Sequence, residues 1–372
     1  MKKIGILTSG GDCPGLNAAI RGVCRTGNKF YNMKFVGFKD GFRGLVNNNY
    51  IALRDDALSG ILTLGGTILG TSRDKPHRMK IDGGVRNMVA SAVANYKKHN
   101  LNALVCIGGG GTQKNAFKLH KAGLNIITMP KTIDNDVANT DLTFGFDTAL
   151  GIATNAIDRL HSTAMSHKRI IVVEVMGHRA GWLALGSGIA GGAEAILIPE
   201  IPYDENIVAE AILDRTKSGK LYSIIVVAEG AMSYKNSSIL TKLEKNKKLA
   251  NTNIKKQKAA TAILNFYKQH VHHTLDLTNK LEKLTKIESK LTVLGHLQRG
   301  GTPTATDRLL ATRLGTSCAK YIKNGKFGVM VALKGKKISV VDLDKVAGSK
   351  KLVPKNHPWV KSARKLGICM GD

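Results

Sequence analysis

Short aliphatic runs that stop at glycine or proline recur along this 372-residue chain, and each is followed by a longer stretch with helical spacing. Lys3–Leu7 runs into Gly10-Gly11, Leu104–Ile107 into Gly108–Gly111, Ile126–Met129 into Pro130, Arg169–Val175 into Gly177, and Ser223–Ala228 into Gly230. A further strand is expected at Val329–Leu333, behind the Gly-Lys-Phe-Gly of residues 325–328. Strand, glycine turn and helix in repetition predict an α/β fold built on parallel sheets. The glycines then fall at the carboxyl ends of strands, where such sheets bind ligands. Two segments break the rhythm. Lys235 to Lys290 contains no Gly or Pro, places Leu277, Leu281 and Leu284 at helical spacing, and is expected to be mostly helical and partly exposed. From Ala347 onward, with Pro354 and Pro358, the chain reads as an irregular tail.

The length suits two or three domains at roughly 100–150 residues each, and a hydrophobic fraction of 43% is enough for sizeable cores. Charge changes the picture more. Lys and Arg number 56 against 27 acids, a net +29, which points to an anionic partner such as nucleic acid, phosphate metabolites or a lipid surface. Only fifteen of the basic residues are Arg, and the Lys235–Lys290 stretch alone holds thirteen Lys against four acids. A solvated basic surface is the plainer reading of that stretch, so nucleic acid is not expected as a partner. Its His270, His272 and His273 lack a second ligand cluster for a metal site. Five scattered cysteines without C-x-x-C argue against a disulfide framework or a zinc ribbon. No run approaches the roughly 20 apolar residues of a membrane span, and the basic N-terminus is followed by too short an apolar run for a signal peptide. The expectation is a cytoplasmic protein without membrane association.

Four glycine-rich turns carry candidate chemistry: residues 8–15, 65–73, 108–112 and 300–303. Glycine lets backbone approach a phosphate, and a following helix N-terminus offers N–H donors and a favourable dipole. None matches G-x-G-x-x-G or the P-loop G-K-[ST], which disfavours dinucleotide oxidoreductases and P-loop NTPases. Pro130-Lys131-Thr132-Ile133-Asp134-Asn135-Asp136 adds two carboxylates, which an extended segment would place on one side. With Arg73 nearby, a base, a metal support and a cradle of positive charge suffice for phosphoryl transfer.

These motifs, read together, resemble the phosphofructokinase family. The resemblance rests on Leu7-Thr8-Ser9-Gly10-Gly11-Asp12 with Pro14-Gly15 and Asn17-Ala18, Gly65-Gly66-Thr67 with Gly70 and Arg73, and the Pro130–Asp136 run. Met176-Gly177 with Gly181, Ala190-Gly191-Gly192, and Leu294-Gly295-His296 with Gln298-Arg299-Gly300-Gly301 complete it in the family's order. It implies two similar three-layer Rossmann-like domains with a cleft between them. The larger, donor-binding domain would comprise residues 1–145 and about 298–350; the smaller, sugar-binding one 146–297, including the Lys-rich segment 235–290; and 351–372 would be a tail. The implied reaction is magnesium-dependent transfer of the ATP γ-phosphate to the 1-hydroxyl of fructose 6-phosphate, with pyrophosphate as the alternative donor. Asp134 would be the general base, Thr132 would hold the sugar side, and Asp136 would support metal and geometry, with Asp134 and Asp136 as the metal carboxylates. Gly11, Arg73, Asp74 and Gly109-Gly110-Gly111-Thr112 would hold the donor phosphates. Ile133, Met176, Gly177, His178 and Glu229 would line the sugar. Arg169, Lys290, His296, Leu297, Gln298 and Arg299 would surround its 6-phosphate, Arg169 arriving from a neighbouring subunit of a homo-oligomer, as a tetramer.

The chain departs from the family in places. Gly110 stands where a magnesium-ligand carboxylate is usual, and Gly111 where pyrophosphate users carry Asp that crowds the nucleotide α-phosphate. Lys131 is the residue typical of pyrophosphate users, so Gly111 with Lys131 resembles a mixed subgroup in which ATP use is common. His178 replaces a frequent Arg, with Arg179 adjacent, and Lys290 replaces an Arg, giving a point charge without a bidentate fork. Arg21 and Arg25 fit the bacterial effector pocket, but His161, Ser218, Leu221 and Tyr222 do not, and little response to ADP or phosphoenolpyruvate is expected. A reading from another class, a weakly catalytic chain that binds sugar phosphates or nucleic acid, is motivated by Gly110 and the net charge.

Overall fold

The structure, a computed structural model, describes residues 1–372, with the side chain of Asn253 excepted. Among the described residues thirteen strands run in chain order: β1 (Lys2–Ser9), β2 (Met33–Phe38), β3 (Tyr50–Ala52), β4 (Met79–Ile81), β5 (Gly84–Arg86), β6 (Ala103–Gly108), β7 (Ile126–Pro130), β8 (Ile170–Val175), β9 (Ala195–Leu197), β10 (Ser223–Ala228), β11 (Ser289–Val293), β12 (Val329–Lys334) and β13 (Lys337–Asp342). The six strands expected from the apolar runs are all present, with bounds shifted by no more than two residues. The chain divides into two compact units, residues 1–149 with 296–351, and residues 150–295 with 352–372.

The first unit is built on a sheet of order β13-β12-β7-β6-β1-β2-β3. Its interior pairs are parallel, and β13 and β3 close the edges antiparallel. Ile4–Leu7 and Ala103–Ile107 are buried along their whole length, because helices cover the sheet on both faces. Helices Leu16–Tyr31 and Ala305–Lys323 pack on each other, while Phe42, Leu45, Leu104 and Leu119 belong to a core closed by helices Phe42–Asn47, Val89–Lys98 and Gly110–Lys121. Register matters most for function. Ser9 pairs with Gly108 and Gly108 with Pro130, so the turns after β1, β6 and β7 leave the sheet from one row. The chain proceeds to β2 on one side of β1 and to β7 on the far side of β6, which makes the β1/β6 gap the topological switch point.

The second unit holds an all-parallel sheet of order β11-β8-β10-β9. The Lys-rich segment forms helices Tyr234–Leu249, Asn253–Gln269 and His273–Thr285 and then joins the sheet as β11, so the helical expectation fails at Ser289 and Lys290. Leu277 and Leu281 are buried, whereas the helix Tyr234–Leu249 buries no residue.

The tail also differs from its irregular reading. Residues 352–372 belong to the second unit and contain the helix Pro358–Lys365. Pro358 occupies a first-turn position, where its missing N–H costs nothing, and the His357 ring accepts from the Trp359 N–H at 3.3 Å. Trp182 meets His357 edge-on with centroids 4.8 Å apart. Beyond the helix, Cys369 continues the sheet edge: its N–H donates to Glu194 O, and its carbonyl accepts from Ile196 N, both at 2.9 Å.

One buried carboxylate fixes the start of the helix Phe146–His167 within the first unit. Asp307, 1% exposed, accepts from Gly145 N and Thr148 N at 2.8 Å each and from the Thr148 hydroxyl at 2.6 Å. Burial pushes its pKa up, against hydrogen bonds that favour the charged form. Asp307→Ala would leave the Gly145 and Thr148 N–H groups without acceptors and the Thr148 hydroxyl with only the longer bond to Thr304, so it is expected to cost about 3 kcal/mol of stability. Chemical denaturation of the first unit checks this, and an unchanged midpoint would contradict it.

Candidate active site

In the first unit the glycine-rich turns are laced together by short polar bonds. The Thr8 hydroxyl donates to Gly70 O at 2.7 Å, Thr71 Oγ1 to Gly10 O at 2.7 Å, and Gly10 N to Ser72 O at 2.9 Å. Residues 70–72 are thereby sewn to the end of β1, and Arg73 follows directly as an exposed side chain. Asn17 Nδ2 donates to Leu64 O at 3.1 Å and its Oδ1 accepts from Ile68 N at 2.9 Å, pinning the other limb of the same turn. Thr112 Oγ1 reaches across to Ser9 O at 3.2 Å. The helix Gly110–Lys121 begins there with Gly109 as N-cap, no side-chain cap and no acidic residue in its first turn. Such an end presents N–H groups and the positive pole of the helix to an anion.

Arg299 belongs to this cluster. Its Nη1 donates to Asp12 O at 3.1 Å and its Nε is buried without a hydrogen-bond partner. Gly11 leaves room for Arg299, since a Cβ there would lie 2.3 Å from its Nη1 and push the guanidinium away. Lys131, 3% exposed, donates its Nζ to Gly11 O. Burial pushes its pKa down, with the nearby Asp134 and Asp12 carboxylates pulling the other way. Gly110 and Gly111 differ from Gly11, since a Cβ on either would meet no atom within 4 Å.

The carboxylate run after β7 is a turn rather than an extended segment. Asn135 is left-handed at φ 49°, so the argument that residues 134 and 136 share a side by extended spacing does not apply. The Thr132 hydroxyl accepts from Asp134 N at 3.1 Å, and Thr132 O accepts from Thr143 Oγ1 at 2.8 Å. Asp136 Oδ2 faces Lys350 Nζ at 3.6 Å. Asp74, expected among the donor ligands, is engaged by Arg43 at 2.7 and 3.0 Å, and that bidentate bond lowers its pKa. Ile133 and Gln298 are buried, while His296 and Leu297 are exposed.

In the second unit, Met176, Gly177 and His178 follow β8, and Glu229 follows β10, at one end of the sheet. Glu229 Oε1 accepts from His178 N at 2.8 Å, which joins the two turns. Arg179 does not stand in for the Arg missing at His178: it pairs with Glu244 at 2.7 Å and lies over the Tyr267 ring. Arg169 precedes β8, and Lys290 is the second residue of β11, so both occupy the opposite end of the sheet. Seven residues of strand at about 3.3 Å each separate Arg169 from Met176 by roughly 20 Å. Arg169 and Lys290 are brought together by Glu288, at 2.6 and 3.0 Å, whose pKa both hold down, Lys290 first. Sequence reasoning missed Glu288, though its place just ahead of the strand that carries Lys290 was an available signal. At the positions of the bacterial effector pocket, His161 Nε2 sits 2.7 Å from Gly191 O and its ring meets Tyr222 edge-on.

Anion-binding turns at a switch point, with carboxylates one loop away, suit a phosphotransferase, because phosphoryl transfer asks for positioning and charge more than for covalent chemistry. The sequence profile of the phosphofructokinase family matches residues 3–322, and the chain belongs to that family. An ATP-dependent 6-phosphofructokinase of Propionibacterium freudenreichii subsp. shermanii is 54% identical over 370 residues, covering 100% of this chain and 99% of that protein. ATP-dependent 6-phosphofructokinase 3 of Bacteroides thetaiotaomicron is 49% identical, covering 99% and 100%. Among solved structures, Pichia pastoris phosphofructokinase in the T-state aligns with a TM-score of 0.77 at 31% identity, over 93% of this chain and 35% of that one. A pyrophosphate-dependent phosphofructokinase from Marinobacter aquaeolei, at 22% identity and a TM-score of 0.76 over 100% and 93% of the two chains, shares the fold. The family and two-domain fold read from the motifs therefore hold.

Lys290 ends in a point charge that already shares Glu288 with Arg169. Lys290→Arg supplies a fork able to hold a phosphate while keeping that contact. The KM for fructose 6-phosphate is expected to fall about threefold with kcat little changed. An unchanged KM in steady-state kinetics would refute a phosphate-gripping role.

Proposed function

We propose that the chain transfers the γ-phosphoryl group of ATP to the 1-hydroxyl of fructose 6-phosphate, giving ADP and fructose 1,6-bisphosphate. The observation that carries this reading is the row Ser9, Gly108 and Pro130, which sets the Asp134 turn beside two glycine turns whose backbone can approach a phosphate. Asp134 takes the proton of the attacking hydroxyl, and Thr132 and Ile133 hold the sugar side of the turn. Arg73, Gly11 and residues 109–112 receive the donor phosphates, with Arg73 neutralising charge on the group in transit. Met176, Gly177, His178 and Glu229 take the sugar, and His296 and Arg299 take its 6-phosphate.

Magnesium is tested by the donor set. Among the described residues no group of three or more His, Cys, Asp or Glu could hold a metal ion. Magnesium keeps several waters and needs only one or two carboxylates when substrate phosphates complete its shell, so Asp134 alone, or with Asp136 released from Lys350, would suffice for an ion that arrives with the nucleotide. Bound there, it would neutralise phosphate charge as the transfer proceeds.

ATP is favoured over pyrophosphate by Gly111, which leaves open space beyond its Cα, and by the ATP-dependent relatives that match from end to end. The position of Arg169 and Lys290 at the far end of their sheet supports a homo-oligomer in which a second copy contributes them, with a tetramer as the family's usual form. Five free cysteines, and the lack among the described residues of a helix long and apolar enough to cross a membrane, are in keeping with a cytoplasmic enzyme.

A coupled assay with fructose 6-phosphate, magnesium and either donor tests the proposal. Turnover is expected with ATP; turnover with pyrophosphate alone would overturn the donor, and none with either would overturn the function. Gly111→Asp finds room in the fold but places a carboxylate against the nucleotide. It is expected to lower ATP-supported kcat/KM by about tenfold, a penalty of about 1.4 kcal/mol. Undiminished ATP use by that variant would remove Gly111 from the donor argument.

A further inference from the structure

Residues 345–351 lie beyond the 3–322 span matched by the family profile, yet they return to the turn that carries Asp134. Asn139 Nδ2 donates to Lys345 O at 3.0 Å, Val137 bridges Lys350 in antiparallel fashion, and Lys351 N donates to Asp136 O at 3.0 Å. The Lys351 side chain then closes the loop from its base. Its Nζ donates to Asn135 Oδ1 at 2.8 Å, to Asp141 O at 2.7 Å and to Thr140 O at 3.1 Å. An ammonium has three donors, and here they match three acceptors drawn from both ends of one turn.

Asn135 is the residue through which this clasp reaches the carboxylates. It is 4% exposed and left-handed, a conformation that Asn adopts more readily than most side chains and that here positions its amide for the bonds below. Its Oδ1 accepts from Thr143 N at 3.2 Å as well as from Lys351, and the Thr143 hydroxyl bonds Thr132 O at 2.8 Å. The backbone on either side of Asn135 belongs to Asp134 and Asp136. Loss of the ammonium leaves a buried amide oxygen and two carbonyls short of a charged donor, and the left-handed turn loses its outside support.

We infer that Lys351 is a positioning residue for the phosphoryl-transfer reaction, acting through Asn135 to hold Asp134 and Asp136 in place. The inference rests on the function proposed above, so its test includes a readout that does not need turnover. Hydrogen exchange is compared between the wild-type protein and Lys351→Met, and faster exchange is expected within residues 132–143 while β1 and β6 keep wild-type protection. In steady state with fructose 6-phosphate and ATP, Lys351→Met is expected to lose at least about tenfold in kcat with each KM within about threefold, the signature of a misplaced base and not of lost binding. Asn135→Ala is expected to lose a similar factor. The double variant is expected to fall no further than the worse single one, because the two residues act in series.

Lys355→Met, a change at an exposed site outside the clasp, serves as the control and keeps wild-type kinetics. If Lys351→Met does not fold, Lys351→Arg is read on the same criteria, since guanidinium geometry does not fit three carbonyl-type acceptors around one nitrogen. Unchanged exchange in 132–143, a raised KM with intact kcat, or multiplying losses in the double variant would each overturn the inference. Absent wild-type turnover would instead overturn the proposed function and leave the exchange result to decide on the clasp.

Discussion

Parallel pairing is the constraint from which the rest of this molecule follows. In β12-β7-β6-β1-β2 every strand that continues into the next must be reached by a crossover, so all five carboxyl ends share one edge and their turns lie side by side. Ser9, Gly108 and Pro130 fall in one row, so three motifs spread over more than a hundred residues become neighbours, and the bonds Thr112 to Ser9 O and Lys131 to Gly11 O join turns that the pairing has already brought together. The same rule works by exclusion in the second unit. Met176 and Glu229 end strands while Arg169 and Lys290 begin them, and no side chain spans the length of β8 to bring the two sets together.

The net +29 separates into two populations on this frame. A few cations are held in fixed places: Lys131 is buried on the Gly11 carbonyl, Arg299 lies against the same turn, and Lys351 sits inside the carboxylate loop. Desolvation makes each of these costly to leave unpaired, which is why all three are tied to backbone oxygens. The remainder is mostly exposed lysine, with a dense share on the helices of residues 234–285, the first of which, Tyr234–Leu249, buries nothing. Charges of that second kind contribute little to a specific site, because water and salt screen them.

What could be read from the sequence were features whose signal is local. An aliphatic run followed by glycine or proline announces a strand and its turn, and it did so for β1, β6, β7, β8 and β10. The glycine turns and the Thr132–Asp136 run were legible because phosphate chemistry restricts residue types within a few positions. Features that depend on long closure were not. Nothing near Lys351 signals a bond to a residue 216 positions earlier, and nothing near Arg179 signals that Glu244 will occupy it. Pro358 misled for a different reason: proline breaks a helix in its interior but suits its first turn, and the tail was read with only the first rule. The two-residue spacing of Asp134 and Asp136 misled because Asn135 turns left-handed under contacts made from outside the motif.

Gly110 follows the same logic of charge. A carboxylate at that place would lie in the first turn of the helix Gly110–Lys121, next to the dipole end and, through the Ser9–Gly108 pairing, beside the turn that Lys131 supports. Without it, the donor side keeps its full positive potential, since that first turn contains no acid. On the reading proposed above, the phosphates would meet N–H groups and cations there, and the acidic partners of the reaction would lie in the turn after β7. A divalent ion in such a site is recruited by the nucleotide it neutralises more than by the protein. On that reading, the hold on such an ion would depend on how firmly that one turn is held. The chain secures it from both directions, by Thr143 within the turn's own segment and by the returning residues 345–351.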